Sequence, residues 1–141
     1  MSEIIVARLA AALRDAGLLV DTIGALPEQV SDVADDSRAV HAGSLFIAVR
    51  GSERDGHAFL QQAASRGATA AIVEERGRTT LPSLVVREGR RAAAVAAAAA
   101  FDHPAAALRL VGVTGTNGKT TTVRILRHLL EGQGGKSASI G

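Results

Sequence analysis

Short apolar runs alternate with helix-forming segments along this chain, and this alternation restricts the possible folds more than any other feature. Residues 45–49 and 84–86 are continuous apolar runs, and 68–73 is nearly so. Each has the length of a strand buried on both faces. Residues 90–101 consist largely of alanine, the strongest helix former. Strands that alternate with helices favour an α/β architecture with a largely parallel sheet.

The pattern also predicts the individual elements. Helices are expected at 3–16, from near 57 to 67, at 90–101 and at 120–131, and strands at 30–37, 45–49, 68–73, 84–86, 108–113 and 137–140. Ser2 is a plausible cap for the first helix, and Asp55 for the second. Asp102-His103-Pro104 ends the alanine helix, because the residue before proline avoids helical geometry. We therefore expect two domains, 1–104 and 105–141.

Composition excludes several functional classes. Hydrophobic residues make up 47% of the 141 residues, enough for a packed core, and the net charge is +2. With no Trp or Tyr and only three Phe, few side chains could stack on bases, so nucleic-acid binding is not expected. Cysteine is absent, so no disulfide or thiolate metal site can form. The four histidines lack metal-ligand spacing and are expected at the surface.

Neither a secretory signal nor a membrane span is visible. The longest apolar run, 92–101, has ten residues, whereas about 20 are needed to cross a bilayer. We expect a cytoplasmic protein.

A glycine-rich loop, GTNGKTT at 115–121, carries the clearest chemistry. It follows the apolar segment 108–113 and opens a helix with apolar residues along one stripe. Such a loop binds nucleotide phosphates, because its backbone N–H groups and the helix N-terminus face the anion. If the segment were an ordinary turn, its place between an apolar segment and a helix would be a coincidence. The three successive threonines at the helix start would be another, because β-branched residues are poor helix formers.

Each residue of the loop has an expected role. Gly115 and Gly118 let the backbone curl close to phosphate oxygens. Lys119, the candidate catalytic residue, would neutralise the β- and γ-phosphates of ATP, and Thr120 would ligate Mg²⁺. Thr121 would donate a further hydrogen bond to phosphate. The intervening Thr116 and Asn117 complete the cofactor-binding set, with Asn117 bracing the loop.

The loop departs from the common phosphate-loop pattern at one position. That pattern has glycine five residues before Gly118, where this chain has Val113. Residues 113–122 instead closely resemble the ATP loop of the Mur ligases, the amide-bond ligases of peptidoglycan synthesis. Folylpolyglutamate synthases share the GTNGK core, so the loop alone leaves both families open.

The first domain extends the resemblance to the Mur ligases. Asp36-Ser37-Arg38, the run GSLFIAV at 43–49, and Gly51 with Asp55-Gly56 are similar to the N-terminal uridine-nucleotide-binding domain of these enzymes. The combination most resembles the members that add the third residue of the stem peptide. The resemblance therefore implies an N-terminal domain with a mixed or parallel sheet, followed by the truncated start of an ATP-binding α/β domain.

The resemblance also implies a reaction. ATP phosphorylates the free carboxylate of UDP-N-acetylmuramoyl-L-alanyl-D-glutamate, and a diamino acid, meso-diaminopimelate or lysine, attacks the acyl phosphate. Asp35 and Ser37 sit where the family contacts the uridine nucleotide, and Ser52, Glu53 and Arg54 match a second contact segment. An ordinary strand-end hydroxyl and a solvated loop remain the alternatives for these residues.

The resemblance predicts elements that this chain lacks, including the domain that selects the amino acid. We therefore expect no ligase turnover from the chain alone, and a monomer for the full-length enzyme. Two other functions remain open. One is a different P-loop kinase or NTPase, which would leave the blocks at 36–38 and 43–49 unexplained. The other is a non-catalytic nucleotide-sugar-binding fragment with a relic loop.

Overall fold

A computed structural model describes residues 3–51 and 55–140 of the chain. It divides into two compact units, Met1–Pro104 and Ala105–Gly141. The first unit contains seven strands among its described residues. In chain order they are β1 (Ile4–Ile5), β2 (Leu19–Ile23), β3 (Gln29–Val30), β4 (Val33–Ala34), β5 (Leu45–Ala48), β6 (Ala70–Val73) and β7 (Ser83–Val86).

Five of these strands form one mixed sheet in the order β2-β7-β6-β5-β4. The neighbours from β4 to β7 are parallel, whereas β2 runs antiparallel to β7 at the other edge. Strands β1 and β3 form a separate two-stranded antiparallel ribbon. The predicted α/β class with a mixed or parallel sheet is confirmed.

The helices of the first unit are α1 (Val6–Asp15), α2 (Leu60–Ser65) and α3 (Gly89–Ala100), with a 3₁₀ turn at Gly56–Phe59 before α2. They cover both faces of the sheet. Leu45 and Ile47 of β5 share one core cluster with buried residues of α1 and α3. Phe46 and Ala48 share the other with buried residues of α2. Because successive strand residues point to opposite faces, a strand covered on both sides must be apolar throughout.

The edges of the sheet differ from the prediction. The predicted strand 30–37 is divided, because Val30 belongs to β3 and only Val33 and Ala34 form β4. Between them the Leu45 amide donates to the Asp32 carbonyl, and the Asp32 carboxylate accepts from the Val33 amide at 2.8 Å. Helix α1 begins at Val6 because the two preceding residues pair with β3. Its expected cap, Ser2, lies outside the described residues. Strand β2 was not predicted, because it is a half-exposed edge strand with polar residues among the apolar ones.

The second unit consists of a 3₁₀ turn at Pro104–Ala107, which starts at the last residue of the first unit, and helix α4 (Lys119–Gly132). The predicted helix is confirmed. The strands predicted at 108–113 and 137–140 are wrong, because both segments are irregular. An extended segment becomes a strand only by pairing its backbone with another strand. No strand lies in the described part of this unit to provide that pairing.

No helix among the described residues is both long and apolar enough to cross a membrane.

The two-sided burial of β5 predicts a large difference between two phenylalanines. Phe46 is 1% exposed and Phe101 is 57% exposed. We expect Phe46→Ala to lower the free energy of unfolding by about 3–5 kcal/mol, because it leaves a cavity. The matched change Phe101→Ala should cost less than about 1 kcal/mol. Urea unfolding followed by circular dichroism measures both, and equal losses would contradict the assigned core.

Candidate functional site

The carboxyl ends of four parallel strands meet at one edge of the sheet, which we call the carboxyl edge. Residues 35–38 follow β4, 49–56 follow β5, 74–78 follow β6 and 87–89 follow β7. In open α/β sheets, ligands bind in the crevice outside this edge. The topology therefore brings residues 35–38 next to the stems of the loop that follows β5.

Ser37 is buried, with 7% of its surface exposed. Its hydroxyl donates a 2.8 Å hydrogen bond to Oε1 of Gln62 on α2. That bond uses the single proton of the hydroxyl and leaves its lone pairs as acceptors. Asp35, two residues earlier, is exposed. The structure thus places both residues at the end of β4 with different accessibility.

Asp36 and Arg38 lock the turn between them. The guanidinium Nε lies 3.0 and 3.1 Å from the two carboxylate oxygens, and a terminal guanidinium nitrogen lies 2.7 Å from Oδ2. The Arg38 amide donates to the same carboxylate at 2.9 Å. The side-chain and backbone hydrogen bonds from Arg38 lower the pKa of Asp36 to about 2. This exposed motif shapes the backbone beside Ser37.

The loop after β5 closes on itself through its two stems. The Gly56 amide donates to the Val49 carbonyl at 3.0 Å, and Arg50 and Asp55 form an isolated antiparallel bridge. A Cβ at Gly56 would lie 2.7 Å from the Val49 oxygen and 2.9 Å from its nitrogen, so only glycine allows this approach. Ser52, Glu53 and Arg54, the second predicted contact segment, lie outside the described residues.

His57 is buried, so its predicted place at the surface is wrong. Its Nε2 accepts a 3.0 Å hydrogen bond from the Glu74 amide, and its Nδ1 lies 2.6 Å from the Asp55 carboxylate. An accepting Nε2 carries no proton, so the neutral ring donates from Nδ1 to Asp55. Asp55 also caps the His57 amide at 3.0 Å, as predicted. The backbone and side-chain hydrogen bonds from His57 lower the pKa of the Asp55 carboxyl.

Glu74 joins three segments at the carboxyl edge, and sequence reasoning missed it. Its carboxylate accepts hydrogen bonds from the Arg50 amide at 2.8 Å and from the Gly89 amide at 3.0 Å. Gly89 is the first residue of α3, where the helix dipole favours a negative group. A Cβ at Gly89 would lie 2.7 Å from both carboxylate oxygens, so a larger residue there would displace the Glu74 carboxylate. The sequence feature that could have identified Glu74 is its position directly after a buried strand.

Two arginines form ion pairs at the rim of this loop. Arg50 pairs with Glu75, and Arg78 lies 3.2 Å from Glu75 and 3.5 Å from Asp55. These side chains are substantially exposed, so each pair contributes little stability. Carboxylates therefore balance both arginines at this edge.

The glycine-rich loop of the second unit turns into α4 through two glycines with positive φ. Gly115 has φ of 144° and Gly118 has φ of 78°, values that favour glycine. Gly118 precedes the first residue of α4, and Lys119 Nζ donates to the Gly115 carbonyl. Residues 115–121 are all exposed. Free backbone N–H groups at a helix start, a flexible ammonium and two hydroxyls fit a nucleotide triphosphate.

Thr120 is the residue expected to hold Mg²⁺, and it offers one oxygen in the first turn of α4. Across residues 3–51 and 55–140, no three His, Asp or Glu side chains cluster as metal ligands. Mg²⁺ in nucleotide sites takes few protein ligands and is held largely by phosphate and water. The donor set therefore fits a metal that arrives with a nucleotide.

The match to known proteins decides the family. Residues 29–117 match the Mur ligase family, catalytic domain. The chain belongs to the Mur ligase family. The match covers the carboxyl-edge segments that follow β4, β5, β6 and β7, and it ends within the phosphate loop.

The relatives reported below carry the names of tripeptide synthetases or 2,6-diaminopimelate ligases. The chain is 45% identical over 116 residues to a UDP-N-acetylmuramyl-tripeptide synthetase of Roseiflexus sp. strain RS-1, covering 80% of this chain and 23% of that protein. It is 47% identical over 109 residues to the enzyme of the same name in Deinococcus radiodurans, covering 75% and 22%. A 2,6-diaminopimelate ligase of Chlorobium phaeobacteroides is 45% identical, with 79% and 23% covered. The chain thus spans less than a quarter of the length of these relatives.

Solved Mur ligases share its fold. MurF from Acinetobacter baumannii matches with a TM-score of 0.70 and 27% identity, covering 93% of this chain and 28% of that one. The MurF ligase of Thermotoga maritima, solved in complex with ADP, matches with a TM-score of 0.55 and 32% identity, covering 72% and 23%. The resemblance of the sequence motifs and the comparisons with known proteins thus indicate the same family.

The Asp36–Arg38 motif predicts a measurable titration. Because Arg38 stabilises the charged carboxylate, the folded pKa lies near 2, below the usual 3.8. The motif therefore contributes to stability above about pH 4 and loses that contribution as pH falls through about 2. We expect Arg38→Gln to move the Asp36 midpoint upward, toward but not to 3.8, because the amide of residue 38 remains a donor. Carboxyl ¹³C NMR measures the midpoint, and an unchanged value would contradict this assignment.

Proposed function

We propose that the chain is the N-terminal part of an ATP-dependent amide ligase of peptidoglycan precursor synthesis. The whole enzyme would add a diamino acid, meso-diaminopimelate or lysine, to UDP-N-acetylmuramoyl-L-alanyl-D-glutamate. The observation that carries this proposal is the 45–47% identity to tripeptide synthetases. The region matched by the family includes the carboxyl-edge segments and the start of the phosphate loop. We further propose that the full-length enzyme is a cytoplasmic monomer.

The first unit would bind the uridine nucleotide at its carboxyl edge. Asp35 and Ser37 would contact it from the end of β4, and residues 52–54 from the neighbouring loop. The buried Ser37 hydroxyl is oriented by Gln62, so its lone pairs are available to a ligand N–H.

The second unit would hold ATP through residues 115–121. Bound ATP supplies the phosphoryl group that activates the free carboxylate of the dipeptide, and the incoming amine then displaces phosphate to form the amide. Lys119 would leave the Gly115 carbonyl to neutralise the terminal phosphates. Thr120 would ligate Mg²⁺ and Thr121 would donate to phosphate. Such transfer depends mainly on positioning and charge neutralisation, which this residue set can supply. We assign no residue of this chain to the diamino acid.

Binding of the nucleotide substrate tests the first unit. Titration of the chain with UDP-N-acetylmuramoyl-L-alanyl-D-glutamate should give saturable heat, and Ser37→Ala should weaken the affinity about tenfold by removing one buried hydrogen-bonding group. The matched control is Ser65→Ala, whose exposed hydroxyl bonds the Gln62 carbonyl. It should bind as the wild type does. Binding of Mg-ATP alone, indifferent to the muramyl nucleotide, would instead favour another P-loop enzyme.

Catalysis tests the second unit. The chain alone should release no ADP above background with all three substrates. Joined to the remaining length of the Roseiflexus relative, it should support ligation, and Lys119→Ala should lower that rate roughly 10²-fold or more. The control Lys136→Ala removes an exposed lysine of the same unit and should leave the rate within about twofold. Equal effects of the two changes would refute the role of Lys119.

A further inference from the structure

One residue directly after β6, Glu74, holds both stems of the loop that follows β5. The first stem enters at Arg50, whose amide donates to Glu74 Oε2 at 2.8 Å. The second stem returns at Asp55 and His57, and the His57 ring accepts from the Glu74 amide at 3.0 Å. The backbone and the carboxylate of one residue, Glu74, therefore contact both stems.

The contacts of His57 and Gly89 lie inside the protein, whereas the bond of the Arg50 amide to Glu74 lies at its surface. The His57 side chain is fully buried, and both of its ring nitrogens are engaged. The Glu74 carboxylate uses its second oxygen on the Gly89 amide at the start of α3. Gly56 and Gly89 each occupy a position where a Cβ would clash. The arrangement ties the loop to the first residue of α3, the helix that follows β7.

The ion pairs around Glu74 do not replace its hydrogen bonds to the loop. Arg50 and Arg78 both pair with Glu75, the residue after Glu74, but through exposed side chains. An exposed pair contributes little and lets its partners move. Gly89 is buried, so its amide is costly to leave without an acceptor, whereas the exposed Arg50 amide would turn to water and release the first stem.

We propose that Glu74 and His57 are positioning residues for the uridine-nucleotide site, fixing both stems of the loop after β5 at the carboxyl edge, beside the end of β4. This inference rests on the proposed function and extends it to residues that make no contact with substrate. Stems that are held before the ligand arrives remove an entropic cost that binding would otherwise include. Loosening the stems should therefore weaken binding while the core remains folded.

Glu74→Gln tests the proposal with almost no change in shape. The amide NH₂ of glutamine faces either the Arg50 or the Gly89 amide as a second donor, so one hydrogen bond is lost. Glu75→Gln is the matched control, because it removes the same charge one residue on and leaves both amide bonds in place. Asp55→Ala and Asp55→Asn form a second pair, since only asparagine keeps an acceptor for the His57 amide and ring.

Two measurements on the 141-residue chain decide the outcome. Both are made at a temperature well below the midpoint of thermal unfolding of every variant. Amide hydrogen exchange should accelerate at least tenfold at Arg50 or Gly89 in Glu74→Gln, with the β6 amide of Ile72 unchanged. Affinity for UDP-N-acetylmuramoyl-L-alanyl-D-glutamate should fall about tenfold. Glu75→Gln should match the wild type in both measurements. Asp55→Asn should retain most of the affinity that Asp55→Ala loses.

Wild-type exchange in Glu74→Gln would overturn the inference, as would wild-type affinity despite faster exchange. Uniform acceleration that includes Ile72 would also overturn it, because the residue would then support the whole fold rather than the loop. If the wild-type chain binds no muramyl nucleotide, the proposed function fails. The positioning role is then decided by the exchange measurement alone.

Discussion

Burial of β5, β6 and β7 on both faces is the constraint on which the rest of the first unit depends. Each of these strands is fully buried, with α1 and α3 against one face and α2 against the other. A connection between parallel strands must cross over a face, so each such strand ends at the same edge. Loops that need not be apolar accumulate there, and polar side chains with them.

The same constraint explains which features the sequence could predict. Continuous apolar runs identified β5, β6 and β7, because two-sided burial excludes nearly every polar side chain; Ser83 at the start of β7 is accommodated by donating to the Leu81 carbonyl. Alanine content identified α3, and the stripe after the phosphate loop identified α4. Strand β2 escaped prediction because an edge strand is half exposed and its pattern is mixed. The expected strands at 108–113 and 137–140 carry a suitable local pattern, but a strand requires a partner that local pattern cannot supply.

The residues of the candidate site also differ in how far local sequence pattern predicts them. Ser37 and the glycine-rich loop could be proposed as site residues because their residue types and order are distinctive. His57 and Glu74 were not, because their roles depend on contacts between residues 15 to 24 positions apart. A lone histidine in a polar loop gives no sign that both its nitrogens will be used inside the protein. Glu74 looks like a solvated charge in the sequence, yet in the fold it meets two amide donors.

The central claim is that the carboxyl edge of the first unit binds the muramyl nucleotide. The most direct test is a ¹⁵N NMR titration of the wild-type chain with UDP-N-acetylmuramoyl-L-alanyl-D-glutamate. The account predicts saturable shifts concentrated at 35–38, 50–56 and 74–78, with little change along α1 or in β2. Shifts centred on α1 and β2, or no shifts at millimolar ligand, would contradict it.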